Sequence, residues 1–322
     1  MGLRFWKVLG VAGAAAAMMC TPVAAAATPV DGGAHAVSQD RVHRLEVYSA
    51  AMDRDVPVTV LAPADADRPA GVFYLLDGNS GQTEGNNWLA PDKGGAMQFF
   101  ADTDVYAVFP TGGTGTLYTD WQHEHPEFGT VKWETFLTEE LPAVIEQRFA
   151  TNGRRAIGGI SSGAQGALLL AARNPGLYDA VAGYSGCYDT GSELGKAVTE
   201  LTIIGTDVDA ELMWGPPDHP DWRDHDLFAR ADGLRGTDVY LSAGTGLPGP
   251  HETWDTPQLE RRLVIGGLLE AGSNACTHEL AETLRGRGVD VVHSAQPVGE
   301  HDWPYWRDEL TRSWPVIGAR LG

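Results

Sequence analysis

Seven stretches of strand length are almost continuously apolar: VPVTVLAP from 56, GVFYLLDG from 71, VYAVFPTGG from 105, RRAIGGIS from 154, DAVAGYSG from 179, TDVYLSAG from 237 and VDVVHSAQ from 289. A strand with one wet face alternates apolar and polar residues, whereas a strand covered on both faces has no need to. Helical patterns lie between the runs. They are WETFLTEEL from 133, interrupted at Pro142 and resuming as AVIEQRF; SGAQGALLLAARN from 162, ended by Pro175; a long one over about 257–286; and YWRDELTRSW from 305. Apolar strands alternating with helices predict an α/β fold, a mostly parallel sheet flanked by helices. The stretch Gly191 to Asp232, with MWGPPDHPDW inside it, reads as an irregular acidic insertion over the sheet. No repeat or low-complexity linker interrupts the pattern.

The first 27 residues differ from the rest. Arg4 and Lys7 lead into VLGVAGAAAAMM, and VAAAA offers an Ala-x-Ala site near Ala25 to Ala27. This is the pattern of a cleaved secretory signal over 1–27, leaving a single domain over 28–322. The apolar run is shorter than the roughly 20 residues that span a bilayer, and no other stretch is a membrane-span candidate. Cys20, behind Ala17, Met18 and Met19, lacks the setting for lipid attachment. An exported chain keeps its thiols in an oxidising compartment, so Cys187 and Cys276 are expected to pair. The net charge of −20 becomes more negative once Arg4 and Lys7 leave with the signal. Such a surface repels phosphate backbones, and nucleic-acid binding is not expected.

Gly159-Ile160-Ser161-Ser162-Gly163 matches G-x-S-x-G between a predicted strand and a predicted helix, the setting of a nucleophile elbow. Ser161 is the candidate nucleophile, and the backbone N–H of Ser162 a candidate oxyanion donor. In this fold the order is serine, acid, histidine. His301 follows the last predicted strand, at the carboxyl edge of the sheet. His293 lies inside that strand, and His219, His225, His251 and His278 fall in acidic loops or on a helix. The acid is left open by spacing among Glu252, Asp255, Glu260 and Glu270. HEHPE from 123 and DHPDWRDHD from 218 read as solvated loops, so neither a metal nor any other cofactor is expected.

FYLLDG at 73, FPTGG at 109, LYTDW at 117, KWETFLTEELP at 132, IGGISSGAQGAL at 157, MWGP at 213, LLEAGSN at 268 and HDWPYW at 301 together resemble the mycolyltransferases, the antigen 85 proteins and their corynebacterial relatives, of the α/β-hydrolase superfamily. The resemblance implies a triad of Ser161, Glu270 and His301, with a second oxyanion donor at the Asn79 N–H. It implies that Asp77 and Trp303 meet the sugar acceptor, and that Cys187 and Cys276 form the corynebacterial type of bridge. It also implies a secreted enzyme of the cell envelope. Such an enzyme moves a mycolyl group from trehalose monomycolate through a Ser161 acyl-enzyme to a sugar hydroxyl of trehalose mycolate glycolipids or cell-wall arabinogalactan. The chain departs from the family in having Asn79 and Ser80 where an arginine follows LLDG. It also has QHEHPEFG where a short loop carries a cysteine pair, and MQFFADTD does not match the fibronectin-binding segment. Two other readings are a secreted serine carboxylesterase and a non-catalytic envelope binding protein.

Overall fold

The computed structural model describes residues 37–65, 67–79, 85–203 and 209–322; the predicted signal segment and Ser80 lie outside them. An eight-stranded sheet runs through these residues: β1 (Val42–Ser49), β2 (Arg54–Leu61), β3 (Ala70–Leu76), β4 (Val105–Pro110), β5 (Thr151–Ile160), β6 (Ala180–Tyr184), β7 (Asp238–Ala243) and β8 (Val291–Ala295). Their order is β1-β2-β4-β3-β5-β6-β7-β8. The strands from β4 to β8 pair in parallel, and β1 and β2 add an antiparallel edge. The seven predicted strands are thus β2 to β8. The apolar-run criterion passed over β1, because VHRLEVYS is an edge strand whose side chains alternate between water and the core.

Successive residues of a strand face opposite sides of the sheet, and β3 divides the core accordingly. Val72, Tyr74 and Leu76 join one buried cluster, while Phe73 and Leu75 join the other. The longer helices cover these two faces: α1 (Leu141–Arg148), α2 (Ser162–Arg173), α3 (Glu193–Ile203), α4 (Gly267–Gly286) and α5 (Trp303–Leu321). Ala164, Ala167 and Leu168 of α2 pack with Leu280 and Leu284 of α4 in the first cluster. Trp303, Trp306, Leu310 and Ile317 of α5 fill the second.

Two expectations need correcting. Pro142 does not interrupt its helix, since helical turns run from Trp133 to Arg148 with a π-type turn at Phe136–Glu140 just before it. A proline clashes with the carbonyl four residues back, and a widened turn there removes the clash. The described residues between Gly191 and Asp232 are not irregular; they form α3 and several short helices after it. Asp209, His219 and Asp226 start three of them, each accepting a hydrogen bond from a backbone amide two residues on. Trp214 and Trp222 anchor the segment edge to face at 5.1 Å.

In an open parallel sheet the cleft forms beyond the carboxyl ends of the strands, where the winding direction reverses. Here the chain lays β4 on one side of β3 and then β5 on the other. The loops after β3 and β5 therefore meet, and they carry Asn79 and Ser161.

Candidate active site

Ser161 sits between β5 and α2 with φ 53° and ψ −122°. Only a tightly constrained turn holds a non-glycine residue there. The flanking glycines supply the constraint. A Cβ on Gly159 would lie 2.4 Å from the Gly163 backbone, and one on Gly163 would lie 2.2 Å from the Asp77 carbonyl oxygen. The turn lifts the hydroxyl out of the sheet at the start of α2, and the Ser162 N–H heads the helix, where amides have no carbonyl behind them.

His301 follows β8 and precedes α5. Its Nε2 lies 3.0 Å from Ser161 Oγ and its Nδ1 2.8 Å from Glu270 Oε2. Glu270 projects from the first turn of α4 and is 2% exposed, and the imidazole side chain is 11% exposed. Ser161, His301 and Glu270 are thus one hydrogen-bonded chain. The alternatives for the acid lie elsewhere: Glu252 accepts from Gly249 N–H and Tyr305 and pairs with Arg262, and Asp255 and Glu260 are exposed.

The other carboxylate oxygen of Glu270 accepts from Ser185 Oγ at 2.8 Å and from the Gly244 N–H at 2.6 Å. Ser185 follows β6 and itself accepts from Trp306 Nε1 at 3.0 Å. The Trp306 ring stands perpendicular to the imidazole, with centroids 5.0 Å apart. Neither Ser185 nor Trp306 stood out in the sequence. The available signal was positional, since Ser185 closes a strand and Trp306 lies one helical turn beyond Trp303.

Asn79 is held by its side chain. Its Nδ2 donates to the Thr202 carbonyl at the end of α3, and its Oδ1 accepts from the Gly115 N–H at 3.0 Å. The preceding residue is pressed against the serine: a Cβ on Gly78 would lie 3.3 Å from Ser161 Cβ. This brings the Asn79 backbone to the same edge as the Ser162 amide.

Asp77 and Trp303 face inward. Asp77 is 2% exposed; its Oδ1 accepts from the Gly78 N–H and its Oδ2 from the Asn87 N–H, both at 2.8 Å. Burial pushes its carboxyl up, opposed by those two amides and by the Lys93 charge. The carboxylate thereby fixes the turn that carries Asn79. Trp303, 7% exposed, packs edge to face between Trp88 at 5.3 Å and Trp306 at 5.2 Å. Trp306 is the ring that meets the histidine.

Cys187 and Cys276 form a disulfide with a Cα–Cα distance of 5.0 Å. It joins the segment just past Ser185 to α4, six residues after Glu270. Thr277 Oγ1 donates to the Gly186 carbonyl at 3.3 Å beside it.

The model of the Esterase family matches residues 49–316. The diacylglycerol acyltransferase/mycolyltransferase Ag85A of Mycobacterium bovis is 28% identical over all of this chain and 93% of its own length. The protein of that name from Mycobacterium leprae is 28% identical over 87% of this chain and 84% of its own. Among solved structures, Mycobacterium tuberculosis MPT51 (FbpC1) superposes with a TM-score of 0.73 at 25% identity, covering 87% of this chain and 99% of MPT51. An S-formylglutathione hydrolase from Agrobacterium tumefaciens shares the fold, with a TM-score of 0.61 at 18% identity over 87% of this chain and 95% of the hydrolase. The chain belongs to the esterase family, where its relatives include the antigen 85 mycolyltransferases.

Proposed function

We propose that this protein is a serine acyltransferase that moves a mycolyl group from trehalose monomycolate to a sugar hydroxyl. The observation that carries this reading is the chain of hydrogen bonds from Ser161 through His301 to Glu270, at 3.0 and 2.8 Å, in a relative of mycolyltransferases. His301 Nε2 takes the Ser161 proton as Oγ attacks the ester carbonyl. Glu270 fixes the imidazole through Nδ1 and stabilises the imidazolium. The amides of Asn79 and Ser162 receive the oxyanion. The tetrahedral adduct collapses, the ester C–O bond breaks, and His301 returns the proton to the departing trehalose. A mycolyl ester on Ser161 remains, and a second sugar hydroxyl, deprotonated by His301, takes the acyl chain and regenerates the serine.

On this reading residues 1–27 export the chain, and residues 28–322 work as one domain in the cell envelope. The acceptor is trehalose monomycolate or cell-wall arabinogalactan. Asp77 supports the chemistry from beneath, by holding the Gly78–Asn79 turn.

The test is incubation with trehalose monomycolate, with and without added trehalose, alongside Ser161→Ala, following mycolate by mass spectrometry. Trehalose dimycolate from the wild type alone is the expected result. Free mycolate as the main product would make the protein a carboxylesterase with water as acceptor. Equal product from both proteins would remove Ser161 from the mechanism.

A further inference from the structure

Two adjacent residues with side chains, Leu117 and Tyr118, sit at φ 51° and 57° in the loop that follows β4. Residues other than glycine enter this left-handed region one at a time and at a cost. The surroundings hold the pair there. Both residues are 1% exposed. Thr116 Oγ1 accepts from the Tyr118 N–H, and the Thr116 carbonyl accepts from Trp121 Nε1, each at 3.2 Å. The Tyr118 ring is wedged between two glycines: a Cβ on Gly113 would lie 2.5 Å from it, and a Cβ on Gly166 of α2 would lie 3.0 Å from it. A strained pair survives only where the fold over-determines it, and such places cluster at functional sites.

The strained turn aims the phenol at the Ser161 edge. Tyr118 Oη donates to the Asp77 carbonyl at 3.1 Å, the same oxygen that lies against Gly163 of the elbow. The Asp77–Gly78 peptide is thus held at both ends, since its N–H donates to Asp77 Oδ1 at 2.8 Å. Three residues before Tyr118, the Gly115 N–H donates to Asn79 Oδ1 at 3.0 Å. One loop therefore grips the turn that carries Asn79 at two points, one on each side of Gly78. Burial and the Asp77 charge push the Tyr118 phenol well above its ordinary value, so it stays protonated and able to donate.

We propose that Tyr118 is a positioning residue for the oxyanion hole. Through the Asp77 carbonyl it orients the Gly78–Asn79 turn, and so aims the Asn79 N–H at the oxyanion that forms when Ser161 attacks an ester. The inference rests on the Ser161 acyl-transfer reading and is independent of which acceptor takes the acyl group. The Ser162 amide heads α2 and is fixed by the helix. The Asn79 amide lies in a turn outside any helix or strand and takes its direction from whatever braces that turn. Such donors act by being aimed before the charge develops.

The test compares wild type, Tyr118→Phe and Trp121→Phe in hydrolysis of p-nitrophenyl butyrate and in binding of butaneboronic acid, whose adduct with a serine hydroxyl places an anionic oxygen where the oxyanion forms. Tyr118→Phe removes the hydroxyl alone. Trp121→Phe removes a hydrogen bond of the same loop that does not touch the Asp77–Asn79 turn, and serves as the control for loop stability. Rates are taken per site labelled to completion by a fluorophosphonate, so partial unfolding does not imitate the effect. Losing an oxyanion donor outright costs about 10²–10³ in rate, and misaiming one should cost about tenfold. Tyr118→Phe is therefore expected to lower kcat by that factor at unchanged KM and to weaken boronate binding equally. Trp121→Phe is expected to lower the melting temperature with kcat and boronate affinity unchanged. Equal kcat and boronate affinity in wild type and Tyr118→Phe overturns the proposal alone, as does an equal loss in both variants or a loss confined to KM. A wild type that neither hydrolyses butyrate nor binds the boronate overturns the Ser161 chemistry, and the positioning role with it.

Discussion

Ser185 Oγ donates to Glu270 Oε1 at 2.8 Å, on the carboxylate oxygen that His301 leaves free. The acid is therefore gripped from both sides, and its orientation toward the imidazole is fixed by a residue 85 positions away. A hydrogen bond to a charged group contributes about 1.5–3 kcal/mol, and about 1.4 kcal/mol is tenfold in rate. Ser185→Ala should lower kcat on a simple ester by about tenfold with KM nearly unchanged, and should lower the melting temperature by several degrees because the buried Trp306 N–H loses its acceptor as well. Unaltered kcat would reduce Ser185 to a packing residue.

Asp77 distinguishes two roles by substrate. A carboxylate that only held the sugar acceptor would be dispensable for p-nitrophenyl butyrate. A carboxylate that fixes the Gly78–Asn79 turn through two buried amides is needed for every substrate. Asp77→Ala should lose about tenfold or more of butyrate turnover, because each amide left without its acceptor costs about 1–3 kcal/mol. Wild-type turnover of butyrate with loss of transfer to trehalose would restore the sugar-binding role.

The disulfide closes a loop across 89 residues of sequence. In the chain-entropy model such closures reach about 4–5 kcal/mol, and measured bridges commonly contribute about 2–4. At about 2–4 °C per kcal/mol for a larger domain, Cys276→Ser should lower the melting temperature by several degrees. Because the bridge links α4 to the Ser185 turn, activity near the melting range should fall first. Equal melting temperatures in calorimetry would show that packing alone holds the helix.

The parts of this molecule that were legible in the sequence are those set by local chemistry. Seven strands announced themselves by unbroken apolar runs, and the Ser161 turn by glycines that the chain geometry requires. β1 was missed because an edge strand alternates, and the helices of the Gly191–Asp232 stretch because Asp and His caps read as loop residues. The environment of the site was illegible for another reason. Ser185, Trp306 and the inward face of Asp77 acquire their meaning from partners tens of residues away, and neither composition nor period encodes such pairs.

Glu300, next to His301, is fully buried, and among the described residues neither of its carboxylate oxygens has a hydrogen-bond partner. Burial pushes its carboxyl up to about 7, helped by the neighbouring Glu252 and Asp302 and opposed by Arg262. Its ordinary value is 4.5, so the folded state holds a proton that the unfolded chain releases. The sign follows by linkage. The protonated carboxyl favours folding at low pH, and that contribution is lost as pH rises from about 4.5 through about 7, beyond which the loss is complete. Gln mimics the neutral acid at every pH, so Glu300→Gln should melt close to wild type at pH 5 and above it at pH 8. Thermal melts of both proteins at the two pH values measure the difference. A parallel fall in both would mean that Glu300 stays ionised in the fold and that its charge is compensated by Arg262.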